Sequence, residues 1–246
     1  MGQTTVLGLV LPGLATGLGG LPLLWVRHPG DRLHAGLVGF TAGIMLAASA
    51  FSLLGPALER GRVAYVVLGL LVGAATIAVL DDLLPHEHLR FAEGSLEAGR
   101  SGRPLLLLGA LTVHNVPEGL AVGVAFGAGG SELGLPVALA IGIQNVPEGF
   151  AAAAPLVRYG LSGTRLVGIA AATGLVEIPA AFVGYGVVDA SAAVLPFALA
   201  FAAGAMIYVV VDELVPESHA GGRERVATAG AVAGFALMML LDNAFG

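Results

Sequence analysis

Eight stretches of this chain are nearly free of charge: 4–25, 35–57, 63–84, 104–127, 133–157, 165–188, 192–215 and 225–244. Each is close to the roughly 20 residues that a helix needs to cross a hydrocarbon layer about 30 Å thick. The gaps between them are short; the longest, 85–103, is too small for a second domain. Composition closes off the alternative of a soluble core. A water-soluble domain carries roughly 25% charged residues, whereas here 11% are charged and 57% hydrophobic. The chain is therefore read as an all-α integral membrane protein forming one transmembrane unit over 1–246. The first stretch has no basic segment before it and is too long for a signal-peptide core, so it is expected to be a true span. Thirty-eight glycines suit helices packed through small residues, because lipid supplies no hydrophobic push between them.

Basic residues orient the bundle. Arg27, Arg32, Arg90, Arg100, Arg103, Arg158, Arg165, Arg223 and Arg225 fall in the odd-numbered gaps, and only Arg60 and Arg62 in an even one. The odd gaps are thus expected to be cytoplasmic, with both termini outside. A net charge of −6 says little about partners in such a protein, and no nucleic-acid partner is expected.

Two apolar stretches are interrupted by the same polar motif: "HNVPEG" at 114–119 and "QNVPEG" at 144–149. In a helix His114 and Glu118 are i, i+4, and Asn115 and Glu118 are i, i+3, so all three share a face; Gln144, Asn145 and Glu148 repeat the arrangement. Pro117 and Pro147 lack an N–H, which deprives the carbonyls of Val113 and Ile143 of their helical donors. A freed carbonyl at membrane depth is tolerated where it lines a polar cavity. Span six adds Glu177, followed by Pro179. A second, looser pairing joins "FTAGIM" at 40–45 with "FAAGAM" at 201–206, each followed by a proline, Pro56 and Pro216. Both pairs run in opposite directions through the membrane, an inverted-repeat arrangement that places a site near the midplane.

Three carboxylates in one membrane interior cannot all stay ionised and unpaired, because each charge is expensive there. Protons or cations must compensate. With no cysteine in the chain, a metal would meet imidazole, carboxylate and amide groups, which suits a divalent ion and argues against Cu(I).

At these residues the sequence resembles the ZIP (Zrt-, Irt-like protein) family of divalent-metal transporters, particularly its prokaryotic branch. The likeness covers the whole chain, including "FTAGIMLAASAFSLLGPALE" and "FAAGAMIYVVVDELVPES" as second and seventh spans. The resemblance implies eight transmembrane helices with inverted repeats in a 3+2+3 arrangement. It also implies metal import into the cytoplasm through a site, often binuclear, between spans four and five. His114, Glu118, Gln144 and Glu148 would form one metal site. Asn115, Asn145, Glu177 and the bridging Glu118 and Glu148 would form the second. Some relatives have an acidic residue where Asn145 stands, and an amide oxygen is the weaker donor. Asp81, Asp82, His86 and His88 near the cytoplasmic end of span three, with Asp212, Glu213, Glu217 and His219 at that end of span seven, are expected to hold departing metal loosely or to be solvated edge charges.

Zn²⁺ suits mixed imidazole and carboxylate ligands, and Cd²⁺, Fe²⁺ or Mn²⁺ can use the same set. No organic cofactor is expected, and the sequence leaves a homodimer open. The expected setting is a prokaryotic cytoplasmic membrane, crossed many times. Two rivals are a proton-coupled transporter of a non-metal substrate and a membrane protein that binds metal without conducting it. An intramembrane metalloprotease would want H-E-x-x-H on a helix; the chain has none, and no enzyme activity is expected. His28, His34, Met45 and Met206 are assigned no part in the site.

Overall fold

The computed structural model describes residues 1–26, 30–83 and 103–245, with side chains for 1–26, 30–83, 114–157 and 160–244. The described residues form eight helical segments and no strand. They are α1 (Gln3–Gly19), α2 (Asp31–Arg60), α3 (Val63–Leu83), α4 (Arg103–Gly129), α5 (Ser131–Val157), α6 (Thr164–Ala190), α7 (Ala192–His219) and α8 (Glu224–Phe245). A 3-10 turn, Leu21–Leu24, extends α1. Among the described residues, seven segments are long and apolar enough to cross a membrane. The remaining one, α4, is 27 residues long and carries the first motif.

The helices pack as two groups. In one, α1 lies against α5 and α6, and α4 against α6; in the other, α2 pairs with α8 and α3 with α7. The groups meet where α5 touches α2 and α4 touches α7. At one end of the molecule Arg223 holds Asp31 at 2.5 Å and His34 holds Glu217 at 3.0 Å, tying the start of α2 to the end of α7 and the approach to α8.

Small residues set these pairings. On α3 only Val66, Gly69, Gly73 and Ile77 are buried, a single narrow stripe. A side chain at Gly73 would strike the Phe201 carbonyl, and one at Gly204 the Leu70 carbonyl, so each helix of the α3–α7 pair rests directly on the other's backbone. Gly43 and Gly234 do the same for α2 and α8, and Gly123 and Gly184 for α4 and α6. Such close approach maximises backbone packing where lipid gives no other drive.

Prolines act differently in different helices. The freed-carbonyl argument anticipates breaks at Pro117 and Pro147, yet α4 and α5 run on as α-helix through both. The interruption falls instead in α6. Pro179 cannot donate to the Leu175 carbonyl, and its ring crowds that turn. The helix pauses at Leu175–Val176, and a new helical run starts at Glu177. In α2 and α7 the turn before the proline widens to π-helix, over Ala48–Leu54 and Val210–Leu214. The Gly55 N–H bonds the Ala50 carbonyl and the Val215 N–H the Val210 carbonyl, each five residues back and each just before its proline. The internal likeness of spans two and seven thus extends to backbone geometry. Both helices continue past the apolar stretches 35–57 and 192–215 because the π turns carry them through the proline and on to Arg60 and His219.

Overpacking a tight helix contact costs about 1–3 kcal/mol. Gly73→Val is expected to lower the thermal midpoint of the purified protein accordingly. Gly168→Val, which meets open space, should stay within about 0.5 kcal/mol of wild type. Equal melting of the two variants would contradict the close-contact account.

Candidate metal centre

The two motifs face each other across the α4–α5 contact, with Glu177 of α6 beside them. His114, Asn115, Glu118, Gln144, Asn145, Glu148 and Glu177 are all buried, with 0–6% of their surface exposed. The sequence-derived set is therefore brought into one region.

Its contacts form a chain of pairs. His114 Nδ1 lies 3.0 Å from Glu213 Oε2, and its Nε2 lies 3.9 Å from Glu148 Oε1. Because a carboxylate only accepts, the Nδ1–H is the donor to Glu213, which leaves the Nε2 lone pair facing Glu148. Gln144 Nε2 donates to Glu118 Oε1. The Glu118 and Glu148 carboxyl groups meet within hydrogen-bonding reach. Asn145 Nδ2 donates to both oxygens of Glu177, at 2.8 Å each, and to the Pro12 carbonyl at 2.9 Å. Thr16 Oγ1 donates to Glu177 Oε1 at 3.2 Å. Glu177 also begins a helical run, where the free N–H groups and the helix dipole favour an anion.

Among the described residues the buried side-chain atoms left without a hydrogen-bond partner are Asn115 Oδ1 and Nδ2, Glu118 Oε2, Gln144 Oε1, Asn145 Oδ1 and Glu148 Oε2. Every one belongs to the two motifs. Leaving a buried polar atom unpaired costs about 1–3 kcal/mol, so the repeated vacancy of oxygen acceptors here asks for a cation. No three His, Asp or Glu side chains among the described residues close on one point. The donor set is instead a mixture: five vacant oxygens, three of them amide, and one imidazole nitrogen. A hard or borderline divalent ion fits that chemistry.

Among the described residues, those expected at the cytoplasmic ends do not gather into a metal-binding cluster. Glu213 turns inward onto His114 and joins the buried site. Glu217 pairs with His34, and the His219 Nδ1–H donates to the Val215 carbonyl of its own helix at 2.9 Å. Asp212 and Asp82 are exposed and Asp81 is half-buried. His86 and His88, like His28, lie outside the described residues. Met45 and Met206 are buried in the apolar core.

Sequence reasoning missed Thr16 and the Pro12 carbonyl, which bring α1 into the site. Nothing local marks them, although Thr16 is a polar residue in an apolar stretch, the same signal that drew attention to Asn145.

The ZIP zinc transporter family matches residues 86–242. The zinc transporter GufA of Myxococcus xanthus is 43% identical over 255 residues that cover the whole of both chains. The zinc transporter ZIPB of Bordetella bronchiseptica is 44% identical over 257 residues, covering 98% of this chain and 81% of that one. The zinc transporter ZupT of Corynebacterium glutamicum is 34% identical over 254 residues, covering 95% and 96%. The chain belongs to the ZIP zinc transporter family, and these relatives bear the name of zinc transporters.

A carboxylate behind a metal-binding imidazole commonly contributes 10–100-fold to metal affinity. Glu213→Ala should therefore weaken zinc binding to the purified protein by about that factor in a calorimetric titration. An unchanged affinity would remove Glu213 from the site.

Proposed function

We propose that this protein carries divalent transition metal, zinc first among them, across a prokaryotic cytoplasmic membrane and into the cell. The observation that carries this reading is the cluster of five vacant oxygens around an imidazole whose other nitrogen is engaged by Glu213. The names of its relatives add zinc as the substrate. Cd²⁺, Fe²⁺ and Mn²⁺ have access to the same donors, since ligand type alone does not select among them.

In this reading 1–246 is one transport unit of eight spans in 3+2+3 order. Eight segments return the chain to the side on which it began. The arginine bias puts both termini outside. His114, Asn115, Glu118, Gln144, Asn145, Glu148 and Glu177 form the polar cavity. A hydrated ion from outside exchanges water for these groups, held tightly enough to repay dehydration and loosely enough to leave. The motifs lie on α4 and α5, in one helix group, while Glu213 belongs to α7, in the other. Relative rocking of the groups makes and breaks the His114–Glu213 contact, which couples the ligand to the motion. Asp81, Asp82, Asp212, Glu217 and His219 offer exposed or half-exposed ligand groups to the departing ion, and His86 and His88 are proposed to join them. A dimer is compatible with this scheme and not required by it.

The test is metal influx into proteoliposomes, with Zn²⁺ and Cd²⁺ assayed separately. Wild type should give saturable entry. Glu118→Ala and Glu148→Ala should abolish nearly all of it with the melting transition retained, and His114→Ala should reduce it. Normal uptake by either glutamate variant would remove the central claim. A folded wild type that admits no metal would point to a binding protein or to a different substrate.

A further inference from the structure

We propose that this cavity holds one divalent ion, and that the Asn145 amide occupies the place of a second, with Glu177 as a positioning residue rather than a ligand. The proposal rests on the metal-site reading given above and fixes its stoichiometry.

The three buried glutamates differ in what satisfies them. Glu118 and Glu148 each have a vacant Oε2. Glu177 has none: its Oε1 accepts from Thr16 Oγ1 at 3.2 Å and from Asn145 Nδ2 at 2.8 Å, and its Oε2 accepts from the same Nδ2 at 2.8 Å. The orientation of the Asn145 amide follows from its surroundings. The atom facing Glu177 has three acceptors around it, both carboxylate oxygens and the Pro12 carbonyl. An amide oxygen there would face three other oxygens, so the nitrogen takes that position. One neutral NH₂ group thus straddles a carboxylate symmetrically, as a chelated cation does.

For Glu177 to ligate a metal, it must let go of both donors. Thr16 and Asn145 are each 1% exposed, so neither finds water when released: the hydroxyl would be orphaned, and the amide would keep only the Pro12 carbonyl for its two N–H groups. The amide's other atom, Oδ1, is vacant and serves the ion held by Glu118 and Glu148. Asn145 therefore works in two directions. Its nitrogen fixes Glu177, and Glu177 in turn fixes the direction of its oxygen. An aspartate at 145 would set two carboxylates against each other with no donor between them, a contact that a second cation resolves when the metal is in excess and a shared proton resolves without it.

The experiment counts ions by elemental analysis after equilibrium dialysis of purified, full-length protein against Cd²⁺. Ions lost in the Glu118→Ala, Glu148→Ala double variant define the cavity and exclude metal on the polar ends. Wild type is expected to hold one cavity ion per chain, Asn145→Asp two, and Glu177→Gln one. A count of two in wild type overturns the proposal. So does a count of one in Asn145→Asp that melts like wild type, or the loss of the ion in Glu177→Gln. A count of zero in wild type sinks the metal site itself, a different failure, because the stoichiometry then has nothing to describe.

Discussion

The structure is organised by the burial of three carboxylates, to which the described side chains bring one basic group, that of His114. All eleven Lys or Arg positions hold arginine, and those with described side chains lie at helix ends or between helices. A charge without a partner is expensive at membrane depth, so each glutamate is met by whatever neutral donor the neighbouring helices provide. Gln144 meets Glu118, Asn145 and Thr16 meet Glu177, and His114 stands between Glu148 and Glu213. Five helices, α1, α4, α5, α6 and α7, must converge to supply these groups. The close glycine contacts between α1, α4, α5 and α6 follow from that demand as much as from the absence of a hydrophobic drive in lipid.

The vacancies complete the same account. A polar cavity whose acceptors were all satisfied would be an inert structural network, strong and rigid. Here five oxygens remain open, and those of Gln144 and Asn145 are held in place by the bonds their own amide nitrogens make. The amides of Gln144 and Asn145 are the means: each spends its nitrogen on a glutamate and keeps its oxygen available. A carboxylate cannot do this, because it has nothing to donate. Amides at these positions therefore organise neighbouring carboxylates, although they are weaker metal donors themselves.

Much of this was legible in the sequence, and the failures have identifiable causes. Charge-free stretches located the helices to within a few residues because composition is what the bilayer reads. The repeated N-V-P-E-G, with the His114 or Gln144 that precedes it, placed six of the seven buried polar residues of the site, since helical spacing alone puts them on one face. The part of the first helix in the site was not legible. Thr16 reaches Glu177, and the Pro12 carbonyl reaches Asn145, only through the packing of α1 on α5 and α6. Glu213 was legible as a carboxylate near a membrane edge, but it lies within the π turn Val210–Leu214, which propensity does not reveal. Proline effects were legible in kind and not in place. Pro117 and Pro147 sit in continuous helices, while Pro179 coincides with a break.

The paired π turns have a consequence for how these helices can vary. A π turn amounts to one residue inserted in an α-helix, and one residue carries about 100° of rotation and ~1.5 Å of rise. Everything beyond Leu214 in α7 is therefore aimed by that insertion, as is everything beyond Leu54 in α2. A deletion of one residue in Val210–Leu214 would leave hydropathy and length almost unaltered, yet would swing the tail of the helix by more than a quarter turn. In this molecule the counting of residues, not their chemistry, decides what the C-terminal ends of two helices look at.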